Sequence, residues 1–181
     1  MDSNDFINKH KNSTEALVFR HHSSIDGRVE CQVVRSVSAW SIGCSLQSTE
    51  FSIQIAYLEL IATSKHYLYI ENQFFISSCA DEKNIKNQIA NTIVQRILQA
   101  HEKKEQFRVY VLLPLLPGFA GEVHDDNATI MKLNLHWEYQ TICRARTSML
   151  KQLDRAIGEG NWKNYIQFLS LRTHGGILEE A

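Results

Sequence analysis

Strand-like and helix-like runs alternate along this chain, and that alternation limits its fold more than any other feature. "VECQVVRSVSAW" (29–40), "YLYIENQFF" (67–75), "FRVYVLLP" (107–114) and "YIQFLSLR" (165–172) are rich in the residues that suit a pleated, covered surface. Between them lie segments of helical period. "FSIQIAYLELIAT" (51–63) is apolar on most sides, as suits a helix between packed layers. "QIANTIVQRILQA" (88–100) places Ile89, Ile93 and Ile97 four apart, with Val94 and Leu98 widening the same stripe. Asp125, Asp126 and Asn127 can cap a helix carrying Ile130, Leu133 and Trp137. Thr147 and Ser148 open a further helix, which stops near Gly158 and Gly160. The expected fold is α/β: a mixed, mostly buried sheet, covered largely on both faces and flanked by helices. The expected strands are 31–36, 67–74, 107–113 and 165–171, in one sheet. The expected helices are 50–64, 86–102, 126–144 and 147–157. Residues 1–28 show no sustained period and read as a polar, flexible extension, leaving 29–181 as the folded part.

The totals narrow the function classes. Of 181 residues, 44% are hydrophobic and 22% charged, the balance of a globular protein with a real core. A formal net charge of −1 speaks against nucleic acid as a partner. No apolar run approaches the roughly 20 residues of a membrane span, and the polar start does not read as a signal peptide. Cys31, Cys44, Cys79 and Cys143 are scattered with no CxxC pair, which fits reduced thiols in the cytoplasm and no metal site. No phosphate-binding glycine loop and no H-E-x-x-H helix is present, and no cofactor is expected.

One stretch breaks the pattern of a buried strand. After Tyr67, Leu68, Tyr69 and Ile70, three polar residues follow in a row: Glu71, Asn72 and Gln73. Alternation puts Glu71 and Gln73 on one face and Asn72 on the other, so at least one polar group is expected to point into protein. A buried carboxylate or amide without partners costs a few kcal/mol. Either these residues line a site or they form a scaffold network with backbone groups. Arg35 and Ser36, at the end of the first strand, are the next candidates. Arginine binds phosphate through two parallel hydrogen bonds, and an ion pair between Arg35 and Glu71 is the structural alternative. Among the histidines, His66 and His136 fall on expected elements, and His101 lies in the charged turn "AHEKKEQ". His174, in "SLRTHGG", follows a strand and precedes glycines.

"RVECQVVRSVSAWSIG", "SIQIAYLELIATSKHYLYIENQFFISS", "VYVLLPLLPGFAGE" and "LSLRTHGG" resemble, in that order, segments of eukaryotic phospholipase D. The resemblance runs from Glu30 to Gly176, and Y-I-E-N-Q-F-F is its most specific part. It implies a fold of two similar α/β lobes, each carrying one H-x-K-x-x-x-x-D motif, with the active site at their seam. One histidine attacks the phosphodiester, the other protonates the leaving choline, and water completes the hydrolysis. This chain contains neither motif: His101-x-Lys103 is followed by Arg108 where the aspartate should stand. It corresponds to the stretch between the motifs, mainly in the second lobe. The resemblance thus implies a catalytic-domain fragment without catalytic residues of its own, with Glu71, Asn72, Gln73, Arg35 and Ser36 as substrate-binding candidates. Its implied partners are a phospholipid at a membrane surface and the other lobe of the same enzyme, with a cytoplasmic, membrane-peripheral location. A non-catalytic remnant that binds lipid or protein is the alternative.

Overall fold

The computed structural model describes residues 18–21, 29–41, 49–79, 85–116, 118 and 128–172. Two short antiparallel pairs come first: β1 (Val18–His21) with β2 (Val29–Gln32), and β3 (Ser36–Val37) with β4 (Glu50–Phe51). Helix α1 (Ser52–Thr63) then leads into β5 (Tyr67–Glu71), α2 (Ile89–Glu102) and β6 (Arg108–Leu112). Helix α3 (Thr129–Tyr139) runs on as a π-helical turn, Gln140–Arg144. Helix α4 (Met149–Ile157), a 3₁₀ turn (Asn161–Asn164) and β7 (Ile166–Leu169) complete the order. Strands β5, β6 and β7 form one parallel sheet in chain order.

The register sorts the sheet's side chains into two unlike faces. Leu68, Val109 and Ile166 stand in one row and Ile70, Val111 and Phe168 in the next. All six belong to the core, packed with Ala90, Ile93, Val94, Ile97 and Ala100 of α2 and Met149 and Leu153 of α4. The five α2 residues recur at the spacing of one helical stripe, and all are fully buried. Fully burying each large aliphatic side chain stabilises the fold by about 1.5–3 kcal/mol. The opposite face carries Tyr67, Tyr69 and Glu71 on β5, Arg108, Tyr110 and Leu112 on β6, and Gln167 and Leu169 on β7. Tyr67 is 65% exposed there, and Tyr69 and Leu169 are also exposed.

The α/β class is as expected, with two differences. The sheet is covered on one face, not both. Connections of one hand between strands laid down in one direction carry their helices to the same side, and α2 and α4 both pack on the Val109 face. The expected strand 31–36 is split between β2 and β3 and joins neither β5 nor its neighbours. Helix α1 is correspondingly less enclosed than its sequence implies. Leu58 and Ile61 are buried, while Ile53, Tyr57 and Leu60 face outward. Val18–His21 pairs as a strand inside the stretch read as an extension. Asp125, Asp126, Asn127 and His174 lie outside the described residues.

Arg96 ties three elements together from inside α2. Its Nε donates to the Ser64 carbonyl at 2.8 Å, and its Nη2 meets Glu105 Oε2 at 2.8 Å. The guanidinium also lies 4.2 Å from the centre of the Phe107 ring. The loop before β5 and the loop before β6 are thereby fixed to one helix. Replacing it (Arg96→Ala) strands the Ser64 carbonyl, so we expect a loss of about 2 kcal/mol in urea unfolding. Leu60→Ala, on the exposed side of α1, should stay within about 0.5 kcal/mol of the parent chain.

Candidate functional site

Ligand groups in open α/β sheets gather beyond the carboxyl ends of the strands, and here that edge opens into a cavity of about 460 Å³. Glu71, Asn72 and Gln73 supply its polar side. Leu112, Leu113, Pro114, Leu115 and Leu171 supply the apolar side. The strand ends are held in line as they reach it. Asn72 N–H donates to the Leu112 carbonyl at 3.2 Å, and Leu113 N–H to the Leu169 carbonyl at 2.9 Å. Ser170 Oγ closes the far side by donating to the Leu113 carbonyl at 2.6 Å. Gly118 passes close by: a Cβ there would stand 3.9 Å from the Gln73 amide nitrogen.

All three polar side chains are exposed, so the expected buried member of the trio does not exist. Past Glu71 the chain leaves the ladder, and strand alternation no longer governs Asn72 and Gln73. Glu71 has one side-chain partner on its own face, the Tyr69 hydroxyl, which donates to Oε2 at 2.8 Å. That hydrogen bond, reinforced by desolvation and the carboxylate's charge, pushes the Tyr69 hydroxyl above its ordinary value.

Arg35 and Ser36 do not line this cavity. Arg35 Nε pairs with Glu50 Oε2 at 2.7 Å, so the ion pair considered with Glu71 is made with Glu50. Ser52 Oγ accepts from the Arg35 N–H and donates to its carbonyl, both at 2.9 Å, which fixes β3 to the start of α1. Ser36 sits opposite Phe51 in that pair. The described histidines also lie elsewhere. His101 Nδ1 is 3.1 Å from the Tyr165 hydroxyl, and His136 packs edge-on to Trp137. His66 borders a second cavity, of about 620 Å³, at the opposite end of the sheet. Arg108 lines that one too, with its guanidinium donating to the Asn164 carbonyl.

The segment that follows the trio is irregular yet buried. Phe75, Ser77, Ser78 and Cys79 are almost sealed, so their backbone groups need partners inside the protein. Glu138 Oε2 accepts the Phe75 N–H at 3.2 Å. Thr141 Oγ1 accepts the Ser77 N–H at 3.2 Å and lies 3.0 Å from the Ser77 carbonyl. Asn87 donates to the Ile76 carbonyl at 3.0 Å and accepts the Ser78 N–H on its own carbonyl at 3.0 Å. Gln152 donates to the Cys79 carbonyl at 2.9 Å. Burial pushes the Glu138 carboxyl above the ordinary glutamate value of 4.5, and the Phe75 N–H bond opposes that only in part. A buried carboxylate is instead found on α3, outside the trio. Glu138 and Thr141, three residues apart at the junction with the π turn, carry no local sequence signal, since the helix also exposes Ile130, Leu133 and Tyr139.

Comparison with known proteins accords with this arrangement. The phospholipase D family profile matches residues 2–176. Rat phospholipase D1 is 46% identical over 148 residues, which is 82% of this chain and 13% of that protein. Bovine phospholipase D2 is 49% identical over 81% of this chain and 15% of its own length. Phospholipase D zeta 2 of Arabidopsis thaliana is 44% identical over 83% of this chain and 14% of its own. The chain thus spans about one seventh of the curated relatives it matches. With a profile match across nearly its whole length and these identities, the chain belongs to the phospholipase D family.

Proposed function

We propose that this chain forms part of the catalytic unit of an enzyme that hydrolyses phosphatidylcholine to phosphatidic acid and choline. The observation that carries the reading is the cavity at the strand ends, polar along Glu71, Asn72 and Gln73 and apolar along Leu112, Leu115 and Leu171. A phospholipid has the same division, with a charged headgroup joined to acyl chains. Among the described residues the cavity's lining holds no histidine and no cation, and the sequence holds no H-x-K-x-x-x-x-D motif. On this reading both catalytic histidines belong to the two motifs, which these 181 residues lack. One forms a P–N bond as the P–O bond to choline breaks, and the other protonates the departing oxygen. Water then attacks phosphorus and releases the first histidine.

In this scheme Glu71 balances the charge of a catalytic histidine across the seam, as a carboxylate does in a triad. Asn72 and Gln73 each donate and accept hydrogen bonds to phosphate oxygens or to facing loops. Arg35 and Ser36 remain candidates for phosphate binding; the exposed Arg35 guanidinium retains donors beyond the one given to Glu50. The other lobe packs against the uncovered side of the sheet and the exposed leucines beside the cavity. Among the described residues no helix is long and apolar enough to cross a membrane, which fits action from the cytoplasmic side as a peripheral protein. The missing motifs favour one second reading, a non-catalytic remnant that binds lipid or protein.

The purified chain alone should release no choline from phosphatidylcholine vesicles, because losing an essential nucleophile costs many orders of magnitude in rate. Clear turnover by these 181 residues would contradict this division of labour. The direct test places this chain in the matching segment of rat phospholipase D1 and measures choline release. An active chimera is expected, and Glu71→Gln within it should cut turnover by about 10²-fold or more with its melting temperature nearly unchanged. A folded but inactive chimera favours the remnant. Full activity of the Glu71→Gln chimera would remove Glu71 from the site.

A further inference from the structure

We propose that Glu138 is a positioning residue, which sets the direction of Asn72 and Gln73 at the cavity through its hydrogen bond to the Phe75 N–H. The inference rests on the proposed role of the cavity in substrate binding, but its geometry is independent of any activity. Gln73 stands two residues from Phe75, and between Asn72 N–H and Phe75 N–H the structure gives the backbone of Gln73 no regular ladder to follow. Two hydrogen-bonded anchors flank it. The first is the Leu112 carbonyl, which holds Asn72. The second is the Glu138 carboxylate, which holds Phe75.

The neighbouring anchors do not duplicate that function. Thr141, Asn87 and Gln152 hold residues 76–79, farther from the cavity, and all three are neutral. The Phe75 ring packs edge-on to Phe168 with centroids 5.9 Å apart, which fixes the ring. A neutral acceptor such as Thr141 suffices to hold Ser77. At Phe75 the chain instead places a carboxylate that is 9% exposed, although burying a charge is costly. The two bonds are equally long, 3.2 Å each, so what sets Glu138 apart from Thr141 is that its acceptor can ionise. Among the described residues the Phe75 N–H is the hydrogen-bond partner of the Glu138 carboxyl, so its amide reports on that group. The π turn that starts two residues later is a local irregularity of a kind often found beside functional sites.

The test is a pH titration of the isotopically labelled full chain by NMR, with no lipid present. The Glu138 side-chain carboxyl should titrate above 4.5, and the amides of Phe75, Gln73 and Asn72 should move with the same midpoint. The Ser77 amide, held by Thr141, should move much less. Glu138→Gln keeps an acceptor, so it should preserve the neutral-pH positions of Gln73 and Asn72 while abolishing the shared midpoint. Glu138→Ala should speed hydrogen exchange at Phe75 by roughly tenfold and displace the Gln73 signals. Gln73 and Asn72 amides that ignore the Glu138 midpoint would overturn the proposal, as would unchanged Phe75 exchange in a folded Glu138→Ala chain. If Glu138→Ala does not fold, the titration of the parent chain decides alone. Either failure leaves the choline-release experiment untouched, so the fate of this residue and that of the cavity are read separately.

Discussion

Two crossovers that carry their helices over the same face of a parallel sheet determine most of this structure. Parallel strands cannot be joined by tight turns, so β5 to β6 and β6 to β7 each need a helical return. Because the strands are added in one direction, the returns accumulate on one side. That side becomes the core, with Val109 and Val111 fully buried in the middle strand. The other side is left with three tyrosines, two leucines, Glu71, Arg108 and Gln167 in register. Purely parallel sheets are ordinarily covered on both faces. Strand order and residue type agree on which face is left bare: the side without helices is the one that carries the polar and aromatic residues.

The same constraint places the cavity. All three strands run in one direction, so their carboxyl ends meet along one edge, and whatever the chain does there is done by the residues immediately after each strand. Those are Asn72 and Gln73 after β5, Leu113 to Leu115 after β6, and Leu171 after β7. The polar residues come from one strand end and the apolar ones from the other two. Among the described residues, an amphiphilic pocket follows from this division. Leu115 and Leu171 are each more than three-quarters exposed, so its apolar wall is open to a partner or a lipid.

Much of the fold was legible because periodicity reports burial. The stripe of Ile93 and Ile97 with Val94 located α2 and its buried face, and the strand-favouring residues of "FRVYVLLP" located β6. Sheet membership was not legible for "VECQVVRSVSAW". Its residues favour strand equally well in a two-stranded pair, and nothing local distinguishes Arg35 beside Glu50 from Arg35 beside Glu71. Apolar composition likewise misled for α1, since a helix apolar all round reads as enclosed even when Tyr57 and Leu60 face outward. Of the candidate site, the sequence located Glu71, Asn72 and Gln73, which the structure brings to one cavity, and Arg35 and Ser36, which it does not. Glu138 was hidden by its distance from them. The bond from Phe75 spans 63 positions, and no local pattern announces it.

The polar interruption at the end of β5 also looks different once the strap behind it is considered. Read as a strand, Glu-Asn-Gln requires a polar group inside the protein. The structure avoids that by ending the strand at Glu71 and turning all three side chains outward. Leaving the ladder, however, strips the next buried residues of their regular backbone partners, and those partners must then come from side chains. Glu138, Thr141, Asn87 and Gln152 are that replacement. A chain that exposes three polar groups at a strand end thus needs a set of buried polar groups one layer deeper. The opening at the cavity and the carboxylate buried on α3 are two sides of one structural requirement.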